Sequence, residues 1–371
     1  MTAGRFPGAD LKTFGVIAVL LVTVAFLAPA PDRPTDRDIY EATAAHGVVY
    51  DCSDLQCFRV LVAWTLGVLP GPSVPKWKIY AALSDAAAAV VLGQLCRAVG
   101  LSNQVAALST WVAAFGFGSL YTLYDPFSSD ALMFLMGPLL TLLMLRGRMG
   151  IAALVGALGV LAKEFAAVPL FVFALAAAIK RQWPLALRAL ASANAALIVW
   201  LGLQFWLMLR FNYTYSNSAS TQLLSGGNLV GWLSRLSPRL AVSSVFTEYG
   251  AIWLLALVGF FRGPSILRRL SIAAVPPAWL FSYVQQPDRA LWNFHYLMIP
   301  LAMIVASRLP FWWSWALVGF FAFANLRLGA QLAFVPAARI ALTVSVVIAA
   351  VAVVRDWREP ADGSPAEVLT L

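Results

Sequence analysis

From Phe14 to Ala30 the chain carries no charged side chain, and apolar runs of similar length recur almost to its end, near 79–99, 104–122, 130–145, 187–209, 247–262, 268–284, 290–307, 311–328 and 337–354. A helix crossing a bilayer needs roughly 20 apolar residues, because hydrocarbon offers its backbone no hydrogen-bond partner. The run 150–179 is too long for one crossing and is broken by Lys163-Glu164, so it reads as two short helices turning at that charged pair. These runs predict an all-α polytopic membrane helix bundle of about 11–12 spans, one transmembrane domain covering 1–371, with short extracytoplasmic helices in the first outer loop. Composition agrees: 61% of residues are hydrophobic and 12% charged, and the mean hydropathy is +0.79. An ordinary soluble domain is excluded.

Arg5 and Lys12 precede the first run, and no small-residue cleavage site follows it. It therefore reads as a retained span with a cytoplasmic N-terminus rather than a signal peptide. Threaded from there, Arg97, Arg146, Arg148, Lys180, Arg181, Arg188, Arg262, Arg268, Arg269, Arg308, Arg355 and Arg358 all fall on the cytoplasmic side, as does the tail 355–371. That is the bias expected of inward-facing loops. The net charge of +9 then reflects those loops and their anionic lipid headgroups, and no nucleic-acid signal accompanies it. The Ala/Leu/Arg-rich composition points to a bacterial inner (plasma) membrane.

The opposite face collects the residues capable of chemistry: a first outer loop at 31–78, "YDPFSSD", the Lys163-Glu164 turn, a second large loop at 210–246 and "QQPDRALWNFH". In the first loop, Thr35 followed by Asp38 is a capping-box pattern, predicting a helix from Asp36 to about Gly47. Asp36 and Tyr40 share a face of that helix. Asp38 reads as a helix-start residue and His46 as a solvated C-terminal one. Asp125 and Asp130 bracket a turn in which Ser128 or Ser129 can cap the next span. No His, Cys, Asp or Glu set has metal-ligand spacing, so the reading carries neither metal nor cofactor. Cys52 and Cys57 share the loop, and a disulfide between them stays an open question. The Asn212-Tyr-Thr214 sequon lies in a polar outer stretch suited to an acceptor surface.

A span followed by "DRDIY", an Asp-x-x-x-Tyr segment, and then an Ala-rich helix resembles the integral-membrane glycosyltransferases of the GT-C class, within them the polyprenyl-phosphate-mannose-dependent type. "CFRVLVAW", "YDPFSSDALMFLMGPLLTLLMLRGR", "GVLAKEF" and "ALWNFHYLMIP" are similar to further segments of that class. The resemblance implies that Asp36 is the catalytic base, with Asp38 in reserve. It also implies an inverting transfer of a mannose-like hexose from a polyprenyl-phosphate donor to a lipid-linked or envelope glycan acceptor, on the extracytoplasmic face and without a metal.

The chemistry asks for the same parts. A carboxylate must take the acceptor hydroxyl's proton, and cationic or hydrogen-bonding groups must hold the leaving phosphate. Lys163, Arg289, His295 and, less centrally, Arg59 are the outer-side candidates for the phosphate, with Tyr40, Glu164, Asp125 and Asp130 in support. Each has a plainer reading: Lys163 paired with Glu164, Arg289 with Asp288, His295 as a packing residue. The competing function is a transporter or flippase of a lipid-linked glycan, which calls for ionisable residues near the midplane and matching broken helices. A membrane acyltransferase calls for a His-centred motif that His295 alone does not supply.

Overall fold

In the computed structural model, residues 7–28, 34–214, 238–284, 291–326 and 335–358 are described. Arg289 and Asp288, most of the 210–246 loop and the tail beyond 358 lie outside them. The described regular structure is helical: α1 (Pro7–Leu27), α2 (Pro34–His46), α3 (Val60–Gly67), α4 (Ser73–Ala98), α5 (Asn103–Ala114), α6 (Phe117–Tyr124), α7 (Asp130–Leu145), α8 (Met149–Gly159), α9 (Val168–Ile179), α10 (Trp183–Phe211), α11 (Pro238–Tyr249), α12 (Ile252–Arg262), α13 (Ser265–Val284), α14 (His295–Ala306), α15 (Phe311–Asn325) and α16 (Val335–Arg358). This is an all-α polytopic bundle.

α1, α4, the α5–α6 run, α10 and α16 are long and apolar enough to cross a membrane. Others are shorter than expected. α8 has 11 residues, about 17 Å at 1.5 Å per residue, so it is not a bilayer-length helix. The 104–122 run remains one candidate span, Asn103–Tyr124, with a local interruption at Phe115-Gly116 between α5 and α6. The 247–262 run resolves into α11 and α12, bent by 94° at Gly250, whose φ of 51° suits a residue without Cβ.

α4 is the central column, packed against α1, α5 and α7. Its small inward residues Ala81, Ala82, Ala86 and Ala89 are buried and let those neighbours come close. α4 starts at Ser73, six residues before its apolar run, so the first outer loop is shorter than 31–78.

The two ends of the bundle are fixed by polar contacts. At one end Arg97 of α4 donates to Asp10 of α1 at 2.7 Å, while Arg262 and Arg308 share Asp356 of α16. The threading had placed these arginines together. At the other end Lys78 donates to the Ala28 carbonyl at 2.6 Å and Leu132 N–H to Tyr80 Oη at 3.3 Å. That second end carries the candidate site.

Candidate active site

α2 lies across the second end. It begins at Pro34, two residues ahead of the expected start at Asp36, and proline suits a first helical turn because the N–H it lacks is not needed there. Asp38 therefore sits inside the helix, exposed to solvent, rather than at its start. Tyr40 is buried on the opposite face, 5.4 Å ring to ring from Trp77. Trp77 in turn packs 5.4 Å from Phe127, and Arg37, paired with Glu41, sits 5.0 Å over the Phe127 ring. An aromatic wedge thus ties α2 to the start of α4 and to the "YDPF" turn.

α3 packs against α2 at Gly67, where a Cβ would run into the Ala44 carbonyl. Its Leu61 N–H donates to the Leu161 carbonyl at 3.0 Å, which lays the start of α3 over the turn between α8 and α9. The loop before α3 is closed by a Cys52–Cys57 disulfide with Cα atoms 6.4 Å apart, answering the question the sequence left open. The same loop is held to the end of α10, where Asp51 N–H donates to Phe211 O at 3.0 Å and Thr214 N–H to Cys52 O at 2.9 Å. Asn212 of the sequon donates to Asp51 Oδ1 at 2.6 Å from a left-handed backbone position that caps α10.

These contacts gather one polar cluster. Arg59, just ahead of α3, makes a two-pronged ion pair with Glu164, Nε to Oε2 at 3.2 Å and Nη2 to Oε1 at 2.7 Å. Lys163, 4% exposed, pairs with Asp130 at the first residue of α7. Lys163 and Glu164 are not each other's hydrogen-bonded partner: the extended backbone at Lys163 sends neighbouring side chains to different carboxylate and guanidinium groups. Asp130 is likewise more than a cap, although Ser128 Oγ does accept from its N–H at 3.3 Å. Asp36 accepts from Gln56 Nε2 at 2.8 Å, Gln56 being carried on the 3-10 turn Leu55–Phe58 inside the disulfide-closed loop. Tyr40 lies among Arg59, Asp130 and Asp36 electrostatically, and burial pushes its phenol up to about 12.

The five formal charges are two cations, Arg59 and Lys163, and three carboxylates, Asp36, Asp130 and Glu164. The cations are committed to Glu164 and Asp130, and Asp36 is met by a neutral amide. Burial alone would raise the Glu164 carboxyl, but Arg59 and Lys163 together hold it below its usual value. Arg59 is held more firmly protonated: burial works against its charge, and Glu164 and Tyr40 outweigh it.

The remaining candidates sit elsewhere. His295 Nδ1 lies 2.9 Å from the Trp292 carbonyl, which makes that nitrogen the donor, and the ring packs edge-on against Phe134 at 5.3 Å. It lines a crevice with Glu248 and Ser119 rather than joining the Asp36 cluster. Asp125 caps α6 and accepts from Tyr121 Oη at 3.4 Å. Sequence reasoning missed Gln56, whose short polar turn between two cysteines was the available signal. It also missed Asp85, wholly buried in α4, with Thr122 Oγ1 donating at 2.7 Å.

No family model and no curated protein sequence matches the chain. The crystal structure of the Archaeoglobus fulgidus oligosaccharyltransferase in the apo form is similar to it, with a TM-score of 0.52 at 12% sequence identity, over 92% of this chain and 56% of that one. The chain thus spans a little over half the length of that protein. At this identity the likeness is one of fold alone.

Proposed function

We propose that this protein is an inverting membrane glycosyltransferase that moves a hexose, mannose-like in the resemblance, from a polyprenyl-phosphate donor to a lipid-linked or envelope glycan acceptor. The observation that carries the reading is the environment of Asp36. It is a partly exposed carboxylate held by Gln56, with Tyr40 as its electrostatic link to Arg59 and Asp130, while the cations Arg59 and Lys163 are engaged by Glu164 and Asp130. A general base must be able to take the incoming proton, and an ion pair lowers a carboxylate's proton affinity.

In the reaction the acceptor hydroxyl gives its proton to Asp36 as its oxygen bonds to the sugar's anomeric carbon. The bond from that carbon to the phosphate oxygen breaks on the far side, and the phosphate leaves with the electron pair. One base serves an inverting displacement. Growing charge on the phosphate needs hydrogen-bond donors fixed in advance. A guanidinium has five N–H groups, and Glu164 engages those at two nitrogens of Arg59, so Arg59 can turn others to a phosphate while its plane stays fixed. Lys163 has further N–H groups beyond the one given to Asp130. The Cys52–Cys57 bond supports an extracytoplasmic position for this face, since disulfides persist in oxidising compartments. On this reading the Asp10–Arg97 end and the Asp356 cluster face the cytoplasm.

One observation favours transport instead: Asp85 is a wholly buried carboxylate midway along α4, and its Oδ1 has no hydrogen-bond partner among the described residues. A transfer assay separates the two readings. Purified protein with a panel of polyprenyl-phosphate sugars and lipid-linked acceptors should yield a new glycosidic bond, with release of polyprenyl phosphate, in detergent where no transport is possible. Movement of lipid-linked glycan across sealed vesicles without transfer would establish the transporter.

A further inference from the structure

The 3-10 turn that carries Gln56 is unusually well anchored for part of an outer loop. The Cys52–Cys57 disulfide closes its loop, and Cys57 and Phe58 are buried in a small apolar cluster with Leu207 of α10 and Tyr213. Tyr213 Oη in turn accepts from Val49 N–H at 3.1 Å, and Thr214 N–H donates to Cys52 O at 2.9 Å. A side chain carried on backbone held in this way has little freedom left to lose on binding, which is a main cost of recognition by loops.

The Gln56 amide is also fixed in direction. An ionised carboxylate only accepts hydrogen bonds, so the group that meets Asp36 Oδ1 at 2.8 Å is the amide NH2. Oε1 therefore lies on the other side of the amide carbon, and among the described residues nothing donates to it or to Asp36 Oδ2. Both side chains are half-buried rather than sealed. Their two remaining oxygens belong to planar groups joined by one hydrogen bond, and bond lengths keep them within about 8 Å of each other. Two neighbouring hydroxyls on one sugar ring, each donating one hydrogen bond, bridge such a gap.

We infer that Gln56 recognises the sugar that receives the hexose, its Oε1 accepting a hydrogen bond from the hydroxyl next to the one that reacts at Asp36, a role that rests on the glycosyltransferase reading. The reacting hydroxyl gives its proton to Asp36, while its neighbour is bound at Gln56 and keeps its own. The receiving sugar is thus one with a free hydroxyl vicinal to the position that is extended. A sugar that is deoxy or substituted there leaves Gln56 Oε1 without a donor and is the poorer substrate.

The test uses the full-length chain with methyl mannoside, methyl glucoside, methyl galactoside and their monodeoxy analogues as probes, first bound without donor and then extended with a polyprenyl-phosphate hexose. Wild type should bind at least one hexoside, and loss of the hydroxyl beside the extended position should weaken binding about fivefold, the usual net worth of one neutral hydrogen bond. Gln56→Leu should bind that hexoside as weakly as wild type binds the deoxy analogue, with no further loss for the analogue. Gln56→Glu combined with Asp36→Asn reverses the hydrogen bond between the two side chains and keeps an accepting oxygen at position 56. Discrimination should therefore return in that double variant, which separates recognition from a folding defect in Gln56→Leu. Equal binding of parent and deoxy analogue by wild type overturns the inference, as does an undiminished loss for the analogue in Gln56→Leu, or binding of no hexoside at all. Transfer by wild type in any of those cases would leave the glycosyltransferase reading standing. Discrimination through Gln56 with no transfer from any polyprenyl-phosphate sugar would instead count against that reading, and the inference falls with it.

Discussion

Arg59 and Glu164, 105 residues apart, are joined by two hydrogen bonds, at 3.2 and 2.7 Å, that clamp the first outer loop to the turn between α8 and α9. Their side chains are 12% and 22% exposed, so removing one partner strands a largely desolvated charge. Arg59→Leu or Glu164→Leu should each cost about 3 kcal/mol of stability, as broken buried pairs do. The double replacement should recover most of it while leaving transfer impaired. Thermal unfolding of the four proteins in one detergent checks this, and no recovery in the double variant would show that the pair is more than a clamp.

The same pair gives a pH dependence. Glu164's folded-state pKa lies below its ordinary value of 4.5. Its ionised form is therefore favoured by folding, and that stabilisation is complete above about 4.5 and disappears as pH falls through the folded-state value. The stability gap between wild type and Glu164→Gln should be constant at neutral pH and narrow in acid. Unfolding midpoints measured from pH 7 downward give the comparison, and a gap that widens in acid would contradict the sign.

Gln56 connects the disulfide to the proposed base. Cys57 follows it directly, and the bond to Cys52 closes the turn from which Gln56 reaches Asp36. Gln56→Leu should lower turnover about tenfold through misplacement of the base, with donor binding little changed. Reduction of the disulfide, or Cys52→Ser with Cys57→Ser, should move turnover in the same direction. A fall in binding with unchanged turnover would separate Gln56 from catalysis.

Gly67 marks the closest approach of α3 to α2. An added Cβ meets the backbone carbonyl of Ala44, which no side-chain rotation can relieve. Gly67→Ala should cost about 1–3 kcal/mol, the range for overpacking, despite the higher helix propensity of alanine. Its thermal midpoint against wild type settles the point.

Much of the architecture was legible in the chain because hydrophobic length is a local property. The alternation of apolar runs with basic turns placed Arg97, Arg262 and Arg308 at one end, and the structure joins Arg262 and Arg308 through Asp356. Helix breaks were less legible: Phe115-Gly116 lies inside a continuous apolar run, and the 94° turn at Gly250 depends on packing against residues distant in sequence such as Phe321. Within the site, the shared face of Asp36 and Tyr40 followed from helical spacing. The partners of Lys163 and Glu164 did not, because neighbours along the chain were the obvious pair. Extended backbone at Lys163 and the approach of α3 instead gave them to Asp130 and Arg59. His295 is held to the Trp292 carbonyl and packed on Phe134, contacts made within its own turn and with α7.

The central claim is that Asp36 takes the acceptor's proton, and the direct measurement is single-turnover transfer from a polyprenyl-phosphate hexose by wild type, Asp36→Asn and Asp38→Asn, with donor binding measured on the same preparations. Loss of a positioned base costs about 10²- to 10⁴-fold in rate. Asp36→Asn should show that loss with donor binding intact, while Asp38→Asn, exposed on the other face of α2, should stay near wild type. A folded Asp36→Asn protein that transfers sugar at close to the wild-type rate would contradict the account.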